Sequence, residues 1–158
     1  MGSVMQQQRT RPTILLLEDY ADSRQMLKLL LEEIGYRVLP AADGKEALAA
    51  ARTNKIDLVV TDYNLPDMTG PTVVRYMRRL GNGLGHVPII MLTAVDVSEH
   101  RALAAEAGCD AFLIKPPDFE VLAATIERLL GVNRQRKESR GDEEDGEPTS
   151  STELFARQ

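Results

Sequence analysis

Apolar positions along the chain follow two rhythms that take turns. Residues 13–17, T-I-L-L-L, form a short unbroken apolar run closed by Glu18 and Asp19. From Asp22 onward Met26, Leu27, Leu30, Leu31 and Ile34 recur at helical spacing, and Gly35 stands where a helix would end. The alternation repeats. V-L-P-A-A at 38–42 precedes an Ala-rich helical stretch at 44–53, and I-D-L-V-V-T at 56–61 precedes a helix candidate at 70–80. V-P-I-I-M-L-T at 87–93 leads into a helix over 97–107. A-F-L-I at 111–114 leads into one over 118–130, with Leu122, Ile126, Leu129 and Leu130 on one face. Most of these strands are apolar throughout, so helices must cover both faces of the sheet they build. The pattern predicts an α/β domain: a doubly wound, five-stranded parallel sheet.

After Leu130 the rhythm stops. G-V-N-R-Q-R-K-E-S-R is basic, D-E-E-D-G-E is acidic, and apolar residues become too sparse for a core. The expectation is one domain over 12–131, a flexible N-terminal segment at 1–11 and a disordered charged tail at 132–158, with no second domain. Of the 158 residues 43% are hydrophobic, enough for a core without cross-links. The lone Cys109, in A-G-C-D-A, cannot form an internal disulfide and reads as a packed thiol. Neither an apolar leader nor a run long enough to span a membrane is found, so a cytoplasmic protein is expected. The net charge of −5 argues against direct, nonspecific binding to nucleic acid.

In a sheet of this kind ligands bind beyond the C-terminal strand ends. The polar residues there are Glu18 and Asp19, Asp62, Thr93 and Lys115. Carboxylates brought together repel: at ~4 Å each pair costs about 1 kcal/mol in water and about 4 at an effective dielectric near 20. Three carboxylates and one lysine leave a charge of −2, which a divalent cation would cancel. Mg²⁺ suits such a site, since it takes one or two carboxylates, keeps several waters and shares its shell with phosphate.

The E-D pair, then D-Y-N-L-P-D-M-T-G, M-L-T-A and F-L-I-K-P, in that order over about residues 12–131, resemble the receiver domain of bacterial two-component response regulators. The likeness is to the stand-alone, chemotaxis-regulator type. With it come a flavodoxin-like strand order of 2-1-3-4-5 and a phosphorylation-controlled switch in a phosphorelay. The resemblance implies that Asp62 is the phosphoacceptor, fed by a sensor histidine kinase or a histidine phosphotransfer protein. It implies Mg²⁺ on Asp19, Asp62 and the backbone carbonyl of Asn64, with Glu18 acting through water. Lys115 would pair with a phosphoryl oxygen, and the Thr93 hydroxyl would move to bond another. Phe112 falls at the position of an aromatic switch whose ring turns inward, and the Lys115–Pro116 peptide would be cis. Asn64 and Val95 would modulate hydrolysis, slowly because Val95 offers no hydrogen bond to water. The output face would be the fourth helix, fifth strand and fifth helix, meeting a protein partner or a second copy.

Blander readings stand beside these. Asp62 alone would be a loop acid, Thr93 a strand end and Phe112 core filler. Asp67 and Thr69 are expected to shape and cap the turn into the third helix, with Pro71 in its first turn. His86 and His100 suit the surface and receive no role. Tyr20 is expected to narrow the pocket. Two other functions fit the fold: an unphosphorylated interaction scaffold, or an aspartyl-phosphate phosphatase. The phosphatase needs a second acid two residues after the first, where this chain has Asn64.

Overall fold

A computed structural model describes residues 11–81 and 83–140. Strands and helices alternate: β1 (Thr13–Leu17), α1 (Ala21–Glu33), β2 (Arg37–Ala41), α2 (Gly44–Thr53), β3 (Leu58–Asp62), α3 (Gly70–Arg79), β4 (Ile89–Thr93), α4 (Ser98–Ala107), β5 (Ala111–Ile114) and α5 (Phe119–Arg140). The sheet order is β2-β1-β3-β4-β5 and every pairing is parallel. The order therefore reverses between β1 and β3, and the C-terminal ends of those two strands carry Glu18 and Asp62.

The unbroken apolar runs are explained by two cores. Successive side chains of a strand point to opposite faces. Ile14, Leu16, Val60, Ile90 and Leu92 pack beneath Leu27 and Leu31 of α1 and Leu122, Ile126 and Leu129 of α5. Leu15, Leu17, Val59, Ile89, Met91 and Phe112 pack on the other face against Ala47, Ala51, Val73, Met77, Ala104 and Ala107 of α2, α3 and α4. Each large side chain fully buried this way contributes about 1.5–3 kcal/mol. Cys109 is buried in the second core, and burial pushes its thiol up to about 12.

The ends of the elements mostly follow the local signals. Gly35 adopts φ 108° just past α1, a left-handed conformation that a Cβ would disfavour. Thr69 caps α3, its hydroxyl accepting from Thr72 N, and Pro71 sits in the first turn. Arg78 ties the far end of α3 to its surroundings. It donates to the carbonyls of Leu84 (3.0 Å), Val87 (2.6 Å) and Gly108 (2.6 Å).

One boundary differs from expectation. α5 does not stop near Leu130 but runs to Arg140, so residues 132–140, expected as disordered tail, are helical. Arg, Gln, Lys and Glu are good helix formers and extend a helix that the core has already nucleated. Residues 1–10 and 141–158, the remainder of the segments expected to be flexible, lie outside the described residues.

Candidate functional site

Glu18, Asp19 and Asp62 meet at the reversal point of the sheet, each offering a carboxylate oxygen, all within 4.8 Å of one another. Glu18 and Asp62 are buried, whereas Asp19 faces solvent. Parallel pairing alone achieves this. The register sets Leu17 beside Thr61, so the residues after each strand end emerge together. Lys115, just past β5, reaches back between the acids: its Nζ lies 2.7 Å from Glu18 Oε2 and 2.8 Å from Asp62 Oδ1. The Lys115–Pro116 peptide is cis, as expected.

One lysine does not balance three acids. Burial, and then the neighbouring Glu18, push the Asp62 carboxyl up to about 8 despite the ammonium beside it. For Glu18, burial acts upward, yet hydrogen bonding with Asp62 and Lys115 prevails and holds it below its ordinary range. Lys115 is raised: burial opposes its charge, but its bonds to Asp62 and Glu18 outweigh that. Asp62 Oδ1 is fully enclosed and ion-paired with Lys115 at 2.8 Å, in a geometry too oblique for a well-directed hydrogen bond. A buried oxygen paired so obliquely keeps bonding capacity that a further cation can use. An all-oxygen, anionic cluster holding such an atom fits Mg²⁺.

The surrounding loops fix these acids, and part of that support was not legible in the sequence. Arg24 of α1 donates to the backbone carbonyls of Glu18 (2.9 Å) and Asp19 (3.3 Å), pinning the turn that presents both acids. Tyr20 N donates to Glu18 Oε1 at 3.2 Å. Behind Asp62 the chain folds back on itself. Gly70 N donates to the Tyr63 carbonyl, and a Cβ at Gly70 would collide with the carbonyl oxygen of Asp62 and, at 2.9 Å, with Met91 Cε. Only glycine fits there.

Asp67 shapes the turn into α3, as expected, but not through a local bond to α3. Its oxygens instead accept from Gly44 N (2.8 Å) and Lys45 N (3.0 Å) at the start of α2, bonds that hold its carboxyl below the usual range. The carboxylate meets unpaired helix amides and the positive end of the helix dipole, which local spacing could not reveal.

On the β4 side, buried Thr93 donates its hydroxyl to the Val95 carbonyl (3.2 Å) and accepts from Val95 N (3.3 Å). Phe112 was expected to turn inward on switching, but its ring already lies in the core at 1% exposure. Arg101 covers that ring, its Cζ 4.8 Å from the centroid, and pairs with Asp96 at 2.7 Å. Tyr20, at 62% exposure, projects into solvent rather than narrowing a pocket, and Val95 is half exposed. Asn64 is exposed beside Asp62. His100 is not a plain surface residue: its ring stacks on Tyr63, centroids 4.0 Å apart and planes 12° from parallel. An aromatic and a histidine far apart in sequence give no signal of such a contact.

Comparison with known proteins agrees with this arrangement. A family model described as "Response regulator receiver domain" matches residues 14–127. The chemotaxis protein CheY of Pseudomonas aeruginosa is 34% identical over 118 residues, covering 74% of this chain and 94% of that protein. The probable transcriptional regulatory protein SilR of Salmonella typhimurium is 37% identical over 117 residues. That match covers 74% of this chain and 50% of SilR, so the chain spans about half the length of this longer regulator. Among solved structures, the receiver domain of the sensor histidine kinase PA1611 from Pseudomonas aeruginosa superposes with a TM-score of 0.71 at 31% identity. The match covers 77% of this chain and 99% of that one, which has a magnesium ion coordinated in its active-site cleft.

Proposed function

This chain belongs to the response-regulator receiver family, whose members are phosphorylation-controlled signalling switches, and from that premise we propose how its own residues carry the switch. Asp62 takes up a phosphoryl group from a histidine of a sensor kinase or phosphotransfer protein. The observation that carries this reading is the enclosed Asp62 carboxylate, within 4.8 Å of two further acids and paired with Lys115 at 2.8 Å. Glu18, Asp19, Asp62 and the Asn64 carbonyl would hold Mg²⁺, Glu18 acting through water. When bound, the ion supplies positive charge to the carboxylates and the incoming phosphoryl oxygens.

The chain's residues do the rest. Asp62, ionised, offers an oxygen to the phosphorus; the new O–P bond forms as the P–N bond of phosphohistidine breaks. The imidazole leaves with that electron pair and takes a proton from solvent. Lys115 exchanges a carboxylate partner for a phosphoryl oxygen, which keeps its ammonium paired. The Thr93 hydroxyl leaves two long hydrogen bonds to Val95 and donates to another phosphoryl oxygen. Freed from Thr93, the start of the β4–α4 connection rearranges, and with it Arg101 and Asp96 over Phe112. This biases a two-state packing element through one local bond. The altered surface is the α4–β5–α5 face, where Val97, Ile114 and Val121 are exposed, and it meets a downstream protein or a second copy. The protein catalyses only its own phosphorylation and dephosphorylation. No described helix is long and apolar enough to cross a membrane, and the reading implies a cytoplasmic protein.

Acetyl phosphate, with and without Mg²⁺, tests the proposal by intact mass. Wild type is expected to gain one phosphoryl mass only with Mg²⁺, and Asp62→Asn none. Equal labelling of that variant would remove Asp62 from its role.

A further inference from the structure

The loop that follows the phosphoacceptor strand is moored to a helix belonging to a different strand–helix unit. The first amides of a helix lack intrahelical partners. In α2 three of them are satisfied by two aspartates. Asp43, the local cap, accepts from Glu46 N at 2.8 Å. Asp67 accepts from Gly44 N and Lys45 N at 2.8 and 3.0 Å, using both of its oxygens. The neighbouring Met68 is seated so closely that a Cβ on Gly44 would come within 2.6 Å of its Sδ. The loop is thus held at its middle by charge and by shape.

Its ends are held as well. Asn64 and Thr69 form an antiparallel bridge, Leu65 N donates to the Met68 carbonyl at 3.2 Å, and Gly70 N donates to the Tyr63 carbonyl. Asp67 therefore sits within a closed loop whose two ends lie against Asp62. The bridge and the Leu65–Met68 bond link the anchored Asp67 to the backbone of Asn64.

We infer that Asp67 is a positioning residue for the metal site: by anchoring the β3–α3 loop on the N-terminus of α2, it holds the Asn64 backbone carbonyl where Mg²⁺ takes it up. The inference rests on the proposed metal role of Asn64. Asp67 touches neither metal nor phosphate; it acts through the loop. Groups that orient metal ligands without touching the ion change affinity by about 10–100-fold when removed.

The two aspartates on one helix end make the test. Asp43→Ala and Asp67→Ala both strip caps from α2, and both are expected to lower the melting temperature. Calorimetric titration with Mg²⁺ separates them: Asp67→Ala is expected to bind about tenfold more weakly, and Asp43→Ala as wild type does. Labelling by acetyl phosphate should show the same division. The Mg²⁺ concentration for half-maximal rate rises in Asp67→Ala, while the rate at saturating Mg²⁺ returns towards that of wild type. Asp67→Asn, which keeps one acceptor oxygen, should fall between and serves if the alanine variant does not fold. Wild-type Mg²⁺ affinity in both Asp67 variants, or equal losses in Asp43→Ala and Asp67→Ala, would overturn the inference. Failure of the wild type itself to bind Mg²⁺ would instead overturn the reading of the site on which it rests.

Discussion

The connections after β3 and after β4 leave neighbouring strands on the same edge of the sheet, yet they are secured in opposite ways. The first is moored to α2 through Asp67, capped by Thr69 and closed behind Asp62 by Gly70. The second, from Ala94 to Val97, is exposed throughout; Thr93 holds its start by two bonds of 3.2 and 3.3 Å, and its Asp96 pairs with Arg101 of the following helix. The helices behind them differ too. α3 buries Val73, Val74 and Met77, whereas α4 buries only Ala104 and Ala107. Small side chains remove less apolar surface from water, so α4 is the more weakly fastened of the two. On the proposed function this contrast divides the work: the stiff connection would keep the acids in place, and the loose one would respond.

The strongest way to break that contrast is to intrude on the stiff side. Gly70→Ala places a methyl group against the Asp62 carbonyl and Met91, and neither the backbone nor the packed core can retreat freely. A loss of about 1–3 kcal/mol is expected, read as a lower denaturation midpoint, together with weakened Mg²⁺ binding. A variant as stable as wild type would show that the loop yields.

Acidity probes the carboxylate lying between the two connections. Without metal, folded Asp62 keeps its proton up to about 8, whereas the unfolded chain releases it near 3.8. The folded state thus binds the extra proton across that window, and its stability falls as pH rises from 5 towards 8. Saturating Mg²⁺ should flatten or reverse that slope by favouring the ionised form. Thermal melts at both ends of the range, with and without Mg²⁺, check it; a metal-free melting point that climbs with pH would contradict the electrostatics described.

The smallest change belongs to the loose side. Thr93→Val keeps the shape and removes two long hydrogen bonds, so stability should fall by about 1 kcal/mol or less. Labelling of Asp62 should continue. What should disappear is the phosphorylation-dependent shift in amide spectra of residues 94–101. If that shift persisted, the signal would leave by another route, and the Tyr63–His100 stack would be the first place to look.

Much of this molecule was readable from its letters because burial leaves a rhythm. The five apolar runs located the strands, and the polar residues closing four of them located Glu18, Asp62, Thr93 and Lys115, since a parallel sheet brings such ends together. What escaped notice leaves no rhythm. Residues 132–140 form helix without an apolar face, so periodicity could not announce them. Among the described hydrogen bonds Arg24 binds only backbone carbonyls, and Arg78 binds three of them besides Asp110; every residue possesses a carbonyl, so no partner type betrays those bonds. Asp67 reaches helix amides in a separate unit, while its neighbours in sequence suggested a purely local cap.

The length of α5 has a mechanical meaning. Its core-facing residues end at Leu130, yet the helix continues to Arg140. At 1.5 Å per residue the 22 residues span about 33 Å, of which about 15 Å lie past the last core-facing residue. A rigid rod seated at one end magnifies angles: a tilt of roughly ten degrees about its first turn would sweep the tip through about 6 Å. The same tilt would shift Ile126 by about 2 Å and Leu129 by about 3 Å, so the close-packed core under α5 sets how far the tip can swing.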